Sequence, residues 1–146
     1  MPRKNFKCTS VIICDDIRQE ATGKQILVGV YTGAVILPAF PTVLEKLCIR
    51  ITGWVYQGAG THSATLALDG PKRRNILRDD NISLNVTHPD QQAVLNVTMR
   101  PFEFQEQGTY KIRFGVEGPA RQIGTFVARL PESAREKMRL QTDQYT

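Results

Sequence analysis

Asp15, Asp16 and Glu20 stand within six residues of one another in a stretch that reads as a polar connection. Clustered carboxylates on a loop are what hard cations such as calcium require, so a metal site at Asp15, Asp16 and Glu20 is one reading of them. A second loop can add ligands, and Asp79, Asp80 and Asp90 are candidate partners. Calcium takes about six to eight oxygens, however, and neither loop has EF-hand spacing. Arg18 and Lys24 are close enough in sequence to neutralise the acids, which makes a solvated or structural role the stronger reading.

Lys72, Arg73, Arg74 and Arg78 form the densest basic run and are a candidate nucleic-acid contact, since such side chains grip phosphates. The run contains no aromatic residue on which a base can stack, and Asp79 and Asp80 follow at once. A solvated loop is therefore favoured over nucleic acid. Trp54 and Tyr56 share one parity of a strand whose other parity is aliphatic, so they are candidate partner-binding residues, either exposed or buried under another segment. His62 and His88 have no Cys or His at zinc-ligand spacing. A phosphate-binding glycine loop, a nucleophile elbow and a paired His-Glu motif are all missing, so neither a catalytic residue nor a cofactor is expected.

A chain of 146 residues fits one domain with a single core, and 41% hydrophobic with 23% charged residues is ordinary for a globular protein. The 19 basic and 14 acidic residues leave a net charge of +5, which permits weak attraction to anionic partners without demanding it. No apolar run reaches the roughly 18 to 20 residues that cross a bilayer, and the apolar stretch behind Arg3, Lys4 and Lys7 is too short for a signal peptide. A cytoplasmic location follows as the expectation. Cys8 and Cys14 are six residues apart on one strand, roughly 20 Å at about 3.3 Å per residue, so they cannot pair with each other. Reduced, buried thiols are expected of all three cysteines.

The elements that must carry these residues are short and extended. The clearest is a hairpin over residues 108 to 130, where Tyr110, Ile112, Phe114 and Val116 alternate with Thr109, Lys111, Arg113 and Gly115 and lead into the turn Glu117-Gly118-Pro119-Ala120. Phe6 to Cys14, Ile26 to Tyr31, Ala34 to Leu37, Leu47 to Tyr56, Ser63 to Leu68, Ile82 to Val86 and Val94 to Met99 are further strand candidates. Asp15 to Gly23 and Lys72 to Asp80 read as polar connections, Thr42 to Lys46 as one helical turn, and Leu47–Tyr56 with Ser63–Leu68 as a hairpin. The parity change from Leu95, Val97 and Met99 to Phe102 and Phe104 implies a bulge or bend near Arg100-Pro101. Seven to nine strands without alternating helices point to an antiparallel sandwich over residues 1 to 130, and residues 131 to 146 add a short C-terminal helix and tail.

One resemblance joins these parts. Ile13-Cys14-Asp15-Asp16-Ile17-Arg18-Gln19-Glu20, then Gly23-Lys24, then Leu27-Val28-Gly29-Val30-Tyr31, resembles the opening of a family of short bacterial proteins of unknown function. Gly60-Thr61-His62 and Gly108-Thr109-Tyr110 are similar to its later landmarks. The resemblance implies an immunoglobulin-like β-sandwich and carries no catalytic residue with it. The expectation is an all-β, non-catalytic binding module whose partner is a protein or a second copy of itself, with the loops at one end and the strand of Trp54 and Tyr56 as surfaces.

Overall fold

The computed structural model describes residues 6–132. These residues form eleven strands and no helix: β1 Phe6–Gln19, β2 Gln25–Val30, β3 Val35–Ile36, β4 Thr42–Leu44, β5 Leu47–Val55, β6 Gly60–Asp69, β7 Leu77–Val86, β8 Ala93–Met99, β9 Phe102–Phe104, β10 Gly108–Val116 and β11 Arg121–Arg129. The count exceeds seven to nine because β3, β4 and β9 are only two or three residues long. The helix expected over 131–140 falls from residue 133 onward outside the described residues. No described helix is long and apolar enough to cross a membrane.

One sheet has the order β2-β1-β5-β8, a second the order β3-β11-β10-β6-β7, and β4 pairs with β9 alone. All pairings are antiparallel except that of β3 with β11, where Val35 lies beside Ala128. The two large sheets bury their apolar faces against each other. Ile13, Ile49 and Ile51 of the first sheet share one core with Leu66, Leu68, Ile112 and Phe114 of the second. The alternation read from β10 arises here: Tyr110, Ile112, Phe114 and Val116 are almost fully buried while Thr109 and Lys111 face out.

Four local expectations are overturned. β5 and β6 do not form a hairpin. β5 lies between β1 and β8, whereas β6 lies between β10 and β7, and Gln57 to Gly60 carry the chain from one sheet to the other. Residues 42–44 are a strand, because Thr42 and Leu44 pair with Phe104 and Phe102. Residues 15–19 are strand too, for β1 continues through them to Gln19. Residues 77–80, expected within a polar connection, open β7 instead.

Two irregularities interrupt the strands, and the one at Arg100-Pro101 is that expected from parity. The β10–β11 register shifts between Ile112 and Arg113, next to Gly124. At Arg100-Pro101, a cis peptide, the chain leaves β8 and enters β9. Phe102 and Phe104 thereby reach the core, where Phe104 stands edge-on to both Tyr110 and Phe126, and Tyr110 stacks on Phe126 with centroids 5.2 Å apart. The Tyr110 hydroxyl donates to Glu106 O at 2.7 Å, so the ring's one polar atom is satisfied inside this nest.

Tyr110→Phe keeps the stacking and removes the hydroxyl, leaving Glu106 O without that donor. Urea unfolding should show a loss of about 1–2 kcal/mol, with the slope unchanged.

Candidate functional site

The acidic motif sits where β1 changes partners. From Phe6 to Cys14 the strand pairs with β5; from Cys14 to Gln19 it pairs with β2. Its second half and β2 therefore make a two-stranded ribbon at the edge of the first sheet. The ribbon curls back toward β5, since Arg50 Nε donates to Gln25 Oε1 at 2.9 Å although Arg50 opposes Ile12 in the β1–β5 ladder. A turn closes it, with Gly23 N–H donating to Glu20 O and Glu20 N–H to Lys24 O.

Alternation sends Asp15 and Asp16 to opposite sides of β1. Asp15 Oδ1 accepts the Tyr31 hydroxyl at 2.6 Å. Its carboxylate lies over Gly29, where φ is +66° and a Cβ would collide with it. Gly29 is therefore required twice, by its backbone and by its neighbour. Burial, and then the Asp15 carboxylate, push the Tyr31 hydroxyl well above the usual tyrosine range, so it remains a donor.

Asp16 faces Lys46, which it engages directly, and Arg18 Nε at 3.1 Å. Lys46 first and Arg18 second lower the carboxyl to about 2. Both acids are thus occupied by separate partners. Among the described residues no three His, Cys, Asp or Glu side chains converge as a metal site would need. Glu20 lies at the ribbon turn, away from a common centre with them.

Two thiols lie under the root of the ribbon. Cys14 and Cys48 are directly opposed in the β1–β5 ladder, and both are fully buried. Cys14 Sγ sits 3.5 Å from Asp16 O, and Cys48 Sγ 3.8 Å from Asp15 O and 3.6 Å from Thr98 Oγ1. Burial pushes the Cys14 thiol up, and the neighbouring Cys48 pushes it further.

β2 overlaps the strand expected over Ile26 to Tyr31, and its aliphatic side chains face outward. Ile26, Val28 and Val30 are 44%, 37% and 45% exposed. The six residues Gln25–Val30 hold no charge and no proline, the two devices that normally blunt a free edge. By contrast the edge strand β7 carries Arg78, Asp79 and Asp80, and the edge strand β8 lies against β7. The signal missed in the sequence was this lack of charge in a strand with a glycine, Gly29, just before its last residue.

The other candidates lie elsewhere. Trp54 is half-buried near the end of β5, opposite Lys7, and Tyr56 just beyond it is exposed. Lys72, Arg73 and Arg74 occupy the β6–β7 loop and line a shallow cleft with Lys111, while Arg78 on β7 pairs with Asp80 at 3.0 Å. Asp79, inside β7, accepts the Asn81 N–H at 2.9 Å where the β6–β7 register shifts, and Asp90 is on a separate loop. His62 Nε2 is 2.9 Å from Gly58 O and its Nδ1 is 3.7 Å from Glu117, which ties the ring into the crossing between sheets.

A family model described as a family of unknown function (DUF6941) matches residues 9–127, from the bulge in β1 to within two residues of the end of β11. No curated protein matches the chain.

The Asp16 carboxyl titrates near 2 when folded and near 3.8 when unfolded, so its stabilising share is complete above about pH 4 and vanishes as pH falls toward 2. Asp16→Asn should therefore flatten the acid limb. Melting temperature followed from pH 5 to 2 should fall less steeply in the variant than in the wild type, and parallel curves would contradict the pairing.

Proposed function

The chain belongs to the DUF6941 family, whose function is unknown, and we propose from its geometry that it is a non-catalytic protein-binding module of immunoglobulin type. It takes up an extended segment of a partner as an added strand along β2. The observation that carries this is the uncharged free edge with Ile26, Val28 and Val30 exposed on alternate positions. A strand added there gains main-chain hydrogen bonds along the edge and apolar contacts at every second side chain.

The immunoglobulin assignment is supported by topology. Reading β1, β5, β6, β8, β10 and β11 as strands A, B, C, E, F and G reproduces the A-B-E and G-F-C pairings, with β3 as the segment of A that crosses to lie parallel to G. Tyr110, two residues into strand F and bonded to Glu106 O, has the geometry of a tyrosine corner. Such folds hold binding surfaces on a rigid frame. Three thiols without disulfides favour a reducing compartment, in keeping with work in the cytoplasm.

A peptide library displayed on phage and selected on the wild-type protein should yield binders with alternating apolar residues. Val28→Lys places a charge on the edge and should weaken the best peptide at least tenfold by calorimetry. Val127→Lys, at a comparably exposed residue of β11, should leave it unchanged. Failure to select any binder, or equal affinity for Val28→Lys, would contradict the reading. Sedimentation of the unliganded protein distinguishes a foreign partner from a second copy of the chain on the same edge.

A further inference from the structure

We propose that Cys14 and Cys48 are an oxidisable dithiol that closes to a cross-strand disulfide. Directly opposed residues of an antiparallel pair have Cα atoms about 4.5 or 5.5 Å apart, depending on their place in the ladder. Both values lie inside the roughly 4.4–6.8 Å that a disulfide spans. Opposed side chains also project to the same face, so rotation about the Cα–Cβ bonds brings the two sulfurs together without any change of register. That Cys48 raises the Cys14 thiol is the electrostatic sign of the same proximity.

The surroundings hold the pair in its reduced form until an oxidant arrives. Each sulfur faces a backbone carbonyl, Asp16 O for Cys14 and Asp15 O for Cys48, and among the described residues no lysine, arginine or histidine is hydrogen-bonded to either one. Nothing there stabilises a thiolate, so attack on an oxidant is slow and waits on a small reagent or an opening of the ribbon above. A peroxide is small enough and supplies the chemistry. One sulfur attacks a peroxide oxygen, giving a sulfenic acid and one water; the other thiol then displaces the hydroxyl, giving the disulfide and a second water. Two electrons pass from the two sulfurs to the peroxide.

The product ties β1 to β5 at the residue where β1 passes from β5 to β2. It is independent of the edge-strand reading, which concerns residues 25–30. Cys8 is the internal comparison: it is half-exposed, lies opposite Gly53 on β5, and is too far along the strand to reach Cys14.

The full chain is treated with hydrogen peroxide, unfolded, alkylated and digested for mass spectrometry. The expected product has Cys14 and Cys48 protected from alkylation and a linked peptide 2 Da lighter than the sum of its reduced halves. In Cys14→Ser and in Cys48→Ser that peptide disappears, and the remaining partner is recovered alkylated or as a sulfinic acid. Recovery of both Cys14 and Cys48 as free thiols after Cys8 has been oxidised would overturn the proposal. So would a link between Cys8 and either of them in the wild type, or the absence of the Cys14–Cys48 link in Cys8→Ser.

Discussion

Strand β1 is longer than any one neighbour can match, and the rest of the edge follows from that. Fourteen residues of extended chain carry a donor and an acceptor at nearly every position. β5 satisfies them as far as Cys14, but the chain ahead of Leu47 belongs to β4 and pairs with β9. The N–H and C=O groups of residues 16–19 must find another ladder, and β2 is that ladder. A two-stranded ribbon has little apolar area of its own, so side chains clasp it at the root: Tyr31 on Asp15 at one face, Lys46 and Arg18 on Asp16 at the other.

The region around β9 is held by bulk instead. Phe102, Phe104, Tyr110 and Phe126 form a nest of edge-on and stacked rings, and the only hydroxyl among them is bonded to main chain. Arg113 is held in a fork by Asp69, with Nε and a terminal nitrogen each 2.9 Å from a carboxylate oxygen. Arg113 lowers the Asp69 carboxyl, and the arrangement fastens β10 to the end of β6. The two regions thus differ in kind. One is filled with aromatic rings; the other presents an aliphatic, uncharged edge.

Much of this was legible in residues that alternate strictly. β10 and β11 follow the expected hairpin because from Thr109 to Phe114 the buried positions are large and apolar and those between them are polar. The parity change around Pro101 likewise marked a real change of partner. What was not legible is which neighbour a strand takes. Leu47–Val55 and Gly60–Asp69 have the same local pattern whether they pair or lie in facing sheets, and a turn rich in glycine serves both. The polarity of Asp15 to Gln19 suggested a loop, but it arises from a strand whose carboxylates are met by Lys46 and Tyr31, residues distant in sequence. For the same reason Asp15 and Asp16 looked like one cluster although the pleat separates them. Gly53 shows the limit again, since only the fold reveals that a Cβ there would strike the Phe6 ring.

The central claim is that β1 is one continuous strand shared between two partners, with the change at Cys14. Nuclear Overhauser contacts between backbone protons test it most directly. The account predicts cross-strand contacts of Ile12 with Arg50 and of Ile13 with Ile49, together with contacts of Asp16 with Val28 and of Arg18 with Ile26, in the same preparation. Contacts confined to residues 6–14, with averaged shifts and none between 16–18 and 26–28, would mean a polar loop in place of the ribbon and would contradict it.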